Sequence, residues 1–157
     1  METTQYLTFT LGREVFALDI ATVREVLEFT TMTRVPRTPG FMRGVINLRG
    51  AVVPVVDLRL KFGMEQAATT VNTCVVIVEV NVDGESTVLG ALADSVREVV
   101  ELDPRAIEPP PRIGNRLDTE FIRGMGKQDE GFIILLDIDR VFSPVEIELV
   151  RSAERAA

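Results

Sequence analysis

The feature that most constrains this chain is that it repeats itself. VREVLEF beginning at Val23 returns as VREVVEL at Val96, a shift of 73 residues. FMRGVINLRGAVVPVVDLRLKF, from Phe41 to Phe62, aligns without a gap onto FIRGMGKQDEGFIILLDIDRVF, from Phe121 to Phe142, a shift of 80. Phe41/Phe121, Arg43/Arg123, Gly44/Gly124, Asp57/Asp137 and Phe62/Phe142 are identical within matching apolar patterns. Two repeats in one order at nearly one offset indicate two copies of one fold. A chain of 157 residues gives each copy roughly eighty or fewer, too few for a large core of its own, so the copies must lean on each other.

The repeated unit has strand character. In YLTFTL (residues 6 to 11) apolar and polar residues alternate, the period of a half-buried strand. EVFALDI, GAVVPVVDL, TCVVIVEVNV, ESTVLGALA, SVREVVEL and GFIILLDI continue the pattern, and Asp83-Gly84 between two of them predicts a tight hairpin. Many short strands at close spacing point to small barrels or a sandwich. Helix is confined to short turns after Asp57 and Asp137 and to an exposed terminal helix. There Ser143 caps, Pro144 takes the first helical position and Glu146 completes a capping box.

Composition removes several kinds of chemistry. The chain has no histidine, which excludes Ser/His and Cys/His nucleophiles and the commonest zinc ligand. Its single Cys74 lies in an apolar run and reads as a buried small hydrophobe, with no disulfide within the chain. No apolar run is long enough to span a bilayer and no leader is evident, so the expectation is a cytoplasmic protein without direct membrane insertion. GMGKQDEG resembles a phosphate loop but lacks the Ser or Thr after Lys127 and the earlier glycine. The carboxylate pairs Asp137/Asp139 and Glu146/Glu148 lie beside helix caps, where capping and solvation account for them.

Duplication also acts as an internal control. Residues shared by both copies belong to the fold, whereas residues that differ are candidates for a task. Gly44 and Gly124 read as tight backbone, and Asp57 and Asp137 as caps. Asn47, Leu48, Arg49 and Gly50 fall opposite Lys127, Gln128, Asp129 and Glu130, an ordinary polar turn, which singles out Arg49. Against a chain total of −7, the segment from Thr30 to Gly63 carries six basic residues and one acid, so the rest holds −12. That asymmetry fits an acidic partner surface or solvated loop arginines. A single-stranded nucleic-acid binder built on small barrels is the alternative reading. It needs exposed aromatic rings, and the chain has no Trp and one Tyr.

TFTLGREVFALDIATVREVLE, TRVPRTPGFMRGVINLRGAVVPVVDLRLKFG, LADSVREVVEL and EFIRGMGKQDEGFIILLDIDRVF together resemble the CheW family of chemotaxis coupling proteins, from about Tyr6 to Phe142. VINLRG followed by VPVVDLR is the specific part. The resemblance implies an all-β fold of two five-stranded SH3-like β-barrels sharing a core, with a short C-terminal helix. We place the first barrel at 12–70, the second at 71–143 with strand 6–11 available to complete it, and the helix at 144–157.

The resemblance further implies an adaptor without catalysis, cofactor or metal. Such an adaptor joins the cytoplasmic hairpin tips of methyl-accepting chemoreceptors to the regulatory domain of the histidine kinase CheA. It works in polar or membrane-associated arrays, and self-association in rings is left open. Receptor contacts carry over to Val23, Glu25 and Arg49. Either Arg49 reaches a receptor helix, or it pairs with Glu25 and keeps the groove in shape. Kinase contacts carry over to Val96 and the segment Ile107 to Ile113, with Pro109, Pro110 and Pro111 between them.

Overall fold

The computed structural model describes residues 3–109, 121–128 and 131–156. Its strands are β1 (Thr4–Leu11), β2 (Glu14–Asp19), β3 (Val23–Glu28), β4 (Met42–Leu48), β5 (Ala51–Asp57) and β6 (Cys74–Val82). They continue with β7 (Glu85–Ala93), β8 (Ser95–Leu102), the two-residue β9 (Ile107–Glu108), β10 (Ile122–Gln128) and β11 (Gly131–Leu136). One sheet runs β3-β6-β7-β5-β4 and the other β8-β1-β2-β11-β10-β9. Helical turns α1 (Leu58–Lys61) and α2 (Ile138–Val141) and the terminal helix α3 (Pro144–Ala156) complete the chain.

Five strands of each sheet follow the same spatial order, but not the same chain order. Edge strand β3 corresponds to β8, hairpin β4–β5 to β10–β11, and hairpin β6–β7 to β1–β2. The parallel contact of β5 with β7 is matched by that of β11 with β2. The first copy is therefore continuous, residues 23–93. The second begins at β8 and borrows its last hairpin from the N-terminus. This corrects the expected division at 70/71: β6 and β7 belong to the first sheet, and β2 joins β1 in completing the second. The physical reason is pairing. Residues 74–82 bond along their whole length to β7, and residues 74–78 also to β3, which leaves the second sheet to find its partners in β1 and β2.

Each repeated residue has a visible job. Asp57 and Asp137 cap α1 and α2, their Oδ1 atoms accepting from the N–H of Arg59 at 2.9 Å and of Asp139 at 3.2 Å. Their own N–H groups donate to the carbonyls of Phe41 and Phe121 at 2.7 and 2.8 Å. Register shifts fall between Met42 and Gly44 and between Ile122 and Gly124. A Cβ on Gly44, at φ +149, would stand 2.6 Å from the carbonyl oxygen of Thr33; one on Gly124 would stand 2.6 Å from Ile107 and 2.9 Å from the carbonyl oxygen of Glu108. Both glycines are required by a strand or bridge that crosses close above them.

Three cores follow from two copies. Ile46, Val53, Val55, Val75 and Ile77 fill the first unit, and Tyr6, Ala17, Leu102, Ile133 and Leu135 the second. The largest cluster lies between them and includes Phe9, Leu18, Val56, Val78, Leu136 and Ile147. The repeated phenylalanines pair reciprocally across it: Phe41 lies tilted on Phe142 at 5.5 Å between ring centroids, and Phe62 stacks on Phe121 at 4.6 Å. Each such pair contributes roughly 0.5–1.5 kcal/mol beyond its buried area.

The terminal helix departs from expectation. Its capping box is present, with Ser143 N–H donating to Glu146 at 2.8 Å and Glu146 N–H to Ser143 Oγ at 3.1 Å. Yet α3 is not an exposed tail. Ile147, Val150 and Ala153 are buried at helical spacing against the shared core, because only one face of the helix is polar.

Candidate functional site

Hairpin β4–β5 pairs Leu48 with Ala51, so only Arg49 and Gly50 turn the chain. Of the two-residue turns that match strand twist, the type I′ turn needs positive φ at both positions. Arg49 has φ 51 and Gly50 φ 88, and the side-chain oxygen of Asn47 braces the turn by accepting from Gly50 N–H at 2.8 Å. Asp83-Gly84 turns β6 into β7 the same way, with φ 52 and 79. Aspartate suits that left-handed conformation, whereas an arginine there is strained and is held by its surroundings.

The strained backbone aims Arg49 at β3. Its Nη1 donates to Glu25 Oε1 at 3.3 Å and its Nη2 to Glu25 Oε2, a bidentate pair. Hydrogen bonding from Arg49 holds the Glu25 carboxyl below the ordinary carboxylate range, with burial opposing, and Glu25 in turn raises Arg49. The Arg49 side chain is 70% exposed, so solvent screens the pair and it adds little to stability.

Glu25 reaches this position through a register shift in β3 between Val23, paired with Val78, and Glu25, paired with Ile77. The shift turns the strand over. Val23 packs on the shared core, and Leu27, four residues on, packs into the first unit's own core. Beside the pair lies an open groove of about 560 Å³ lined by Arg24, Glu25, Leu48, Arg49, Val52 and Arg151, among others. Two of the three receptor candidates therefore share one groove, and Val23 packs beneath the same strand without lining it. Sequence reading missed Arg151, whose Nε donates to Thr87 at 2.7 Å and whose Nη1 meets Glu85 at 3.1 Å. The available signal was its i+4 spacing from Ile147, which sets it one turn along the docked helix.

The kinase candidates are placed differently. Val96, half-buried, pairs with Phe9 and packs on the shared core, whereas Ile107 pairs with Gly126 and packs on the second unit's core. Pro109 is exposed. Pro110, Pro111 and Ile113 lie outside the described residues. The structure does not bring Val96 and Ile107 into one cluster.

A second ionic junction, also missed, joins the copies. Asp94 lies between β7 and β8, where the chain leaves one sheet for the other. It accepts from Arg59 Nε at 2.9 Å, Arg59 Nη2 at 2.6 Å and Gly12 N–H at 2.7 Å. Hydrogen bonding from Arg59 lowers the Asp94 carboxyl, with burial opposing and Gly12 N–H assisting.

Among the described residues no group of three or more His, Cys, Asp or Glu side chains is arranged to hold a metal, and no helix is long and apolar enough to cross a membrane. What the geometry offers is two packed mixed sheets, a charged groove and capped turns. Comparison makes this specific. The CheW-like domain family matches residues 5–146, so the chain belongs to the CheW family of non-catalytic chemotaxis scaffolds. It is 36% identical to the chemotaxis protein CheW of Klebsiella aerogenes, over 97% of this chain and 89% of that one. It is 35% identical to the chemotaxis protein CheW of Rhizobium meliloti, over 92% and 90%. The solved structure of the scaffolding protein TtCheW from Thermoanaerobacter tengcongensis is similar at TM-score 0.79 and 34% identity, covering 93% and 96% of the two chains. The expected all-β fold of two SH3-like units with a short C-terminal helix is thereby shown, one sheet having the extra two-residue strand β9.

Proposed function

We propose that this scaffold couples the cytoplasmic tips of chemoreceptors to the regulatory domain of a CheA kinase, in the cytoplasm at receptor arrays. The observation that carries the receptor half is the Arg49 turn. A strained, largely exposed arginine whose ion pair is screened gains little for the fold, and its position at the mouth of the groove suits a charged contact to the polar flank of a docked helix. Glu25 sets the guanidinium plane, and Val23 anchors the strand carrying Glu25.

For the kinase we retain Val96, Ile107 and Pro109 as separate candidate contacts, together with Pro110, Pro111 and Ile113, which lie outside the described residues. Exposed Val99 on the free edge of β8 supports an apolar contact there. The decisive experiment is reconstitution with receptor fragments and CheA from the same genome. Arg49→Ala should weaken receptor coupling about tenfold while kinase binding stays within twofold. Equal loss of both, with a lowered melting temperature, would make Arg49 a structural residue only; no ternary complex at all would remove the adaptor reading.

A further inference from the structure

The loop between β3 and β4 carries the densest part of the basic segment and takes no part in the groove. Arg34, Arg37 and Arg43 surround a recess of about 360 Å³ floored by Val35, Pro39 and Met42. The loop is fixed by its own bonds. Thr33 and Val45 exchange backbone hydrogen bonds at 3.0 and 2.8 Å, Thr38 Oγ1 donates to the Val35 carbonyl at 3.0 Å, and Met42 N–H to the Pro39 carbonyl at 2.9 Å. Arg37 sits at φ 60, besides Arg49 and Asp83 one of three non-glycine residues in the left-handed region among the described residues.

Charge makes this loop unusual. Acids outnumber bases 24 to 17 in the chain, and most described arginines have a carboxylate within 4.0 Å. Among the described residues Arg34 and Arg37 have none, although both are exposed and neighbours in one loop; Arg13 and Arg97 are the other two, and they are not in this loop. Arg43 is tied to Asp57 at 3.5 Å, so among the described residues the recess keeps two positive charges without a carboxylate partner.

We propose that this recess binds an acidic segment of a protein partner, taking two neighbouring carboxylates on Arg34 and Arg37. The apolar floor selects for carboxylates on methylene stems over a bare mineral anion, since Val35, Pro39 and Met42 can cover glutamate stems. Proline and the internal bonds fix the loop beforehand, so little ordering entropy is lost on docking. The charge of the site also speeds encounter with an acidic partner and makes binding salt-dependent.

The test uses the full chain and a fluorescein-labelled dodecapeptide of repeated Glu-Glu-Ala, followed by anisotropy at low salt. Arg34→Glu with Arg37→Glu should weaken binding at least tenfold, whereas Arg13→Glu with Arg97→Glu, the same change of net charge elsewhere, should leave it within twofold. If the first variant loses its folded circular-dichroism spectrum, Arg34→Gln with Arg37→Gln takes its place, with at least a threefold loss expected. The proposal is overturned if the wild-type chain does not bind the peptide, or if both charge-reversal pairs lose binding alike. It is equally overturned if inorganic phosphate or a single-stranded oligonucleotide displaces the peptide at lower charge concentration than free glutamate peptide does. Arg49→Ala should leave peptide binding unchanged, which separates this site from the groove.

Discussion

Hairpins β4–β5 and β10–β11 are one structure with two chemistries. Both shift register beside a repeated arginine, both carry a glycine under a crossing segment, and both end in a capping aspartate whose N–H returns to a phenylalanine carbonyl. At the turn they part. The first hairpin sets Arg49 against Glu25; in the sequence of the second copy the corresponding residues are Asp129 and Glu98, both acids. Duplication preserved whatever the backbone requires and released the turn for recognition. Helix α3 adds to the difference, since it packs on β5 and β4 and leaves Phe132, the counterpart of Val52, 49% exposed.

The largest test of the shared part is Gly44→Ala against Gly124→Ala. The first forces a Cβ onto a backbone oxygen at a φ unfavourable to L side chains and should cost about 2–3 kcal/mol. The second presses on Ile107 and on a two-residue edge strand that can shift, and should cost about 1 kcal/mol. Equal losses in urea denaturation would show the two crossings to be equally rigid and break the contrast.

Next comes the joint between copies. Asp94→Asn should lower stability by about 1–2 kcal/mol, discounted for partial exposure. Because the folded carboxyl is depressed, its contribution is present above the ordinary value of 3.8 and is lost as pH falls through the depressed one. Wild type and Asp94→Asn should therefore converge in melting temperature only in strong acid, below that value. Convergence already at neutral pH would show that Asp94 does not hold the sheets together.

A smaller effect separates the two readings of Arg49. Arg49→Gly relieves the positive φ and should raise the melting temperature by roughly 1–2 °C while reducing receptor coupling. A fall in melting temperature would mean that the pair with Glu25 matters more to the fold than the strain does. Smallest of all, Phe132→Ser should change stability by about 0.5 kcal/mol or less, and Val52→Ser in the half-buried counterpart by about 1 kcal/mol.

Much of this is legible in the sequence. VREVLEF and VREVVEL mark the matching edge strands, Asp83-Gly84 the hairpin, Asp57 and Asp137 the caps, and Ser143 to Glu146 the capping box, because each is decided within a few residues. The boundary between copies was not, since hairpins β1–β2 and β6–β7 share only apolar alternation, which every strand here shows. The buried face of α3 was masked by its charged face. Glu25 and Arg49 were brought together by family resemblance, but the left-handed backbone that aims Arg49 depends on a hairpin of two residues, a count set by pairing between distant strands.

The borrowed hairpin has a consequence for how the chain is made. Strand β1 leaves the ribosome before the other strands described, yet its edge partner β8 is about ninety residues behind, and β2 meets β11 only after residue 136 has emerged. The continuous copy, residues 23–93, can close while the first hairpin still waits with both edges open. Synthesis therefore ends on the slow, long-range step, and an N-terminal fusion or deletion will damage the half of the molecule that is farthest from it in sequence.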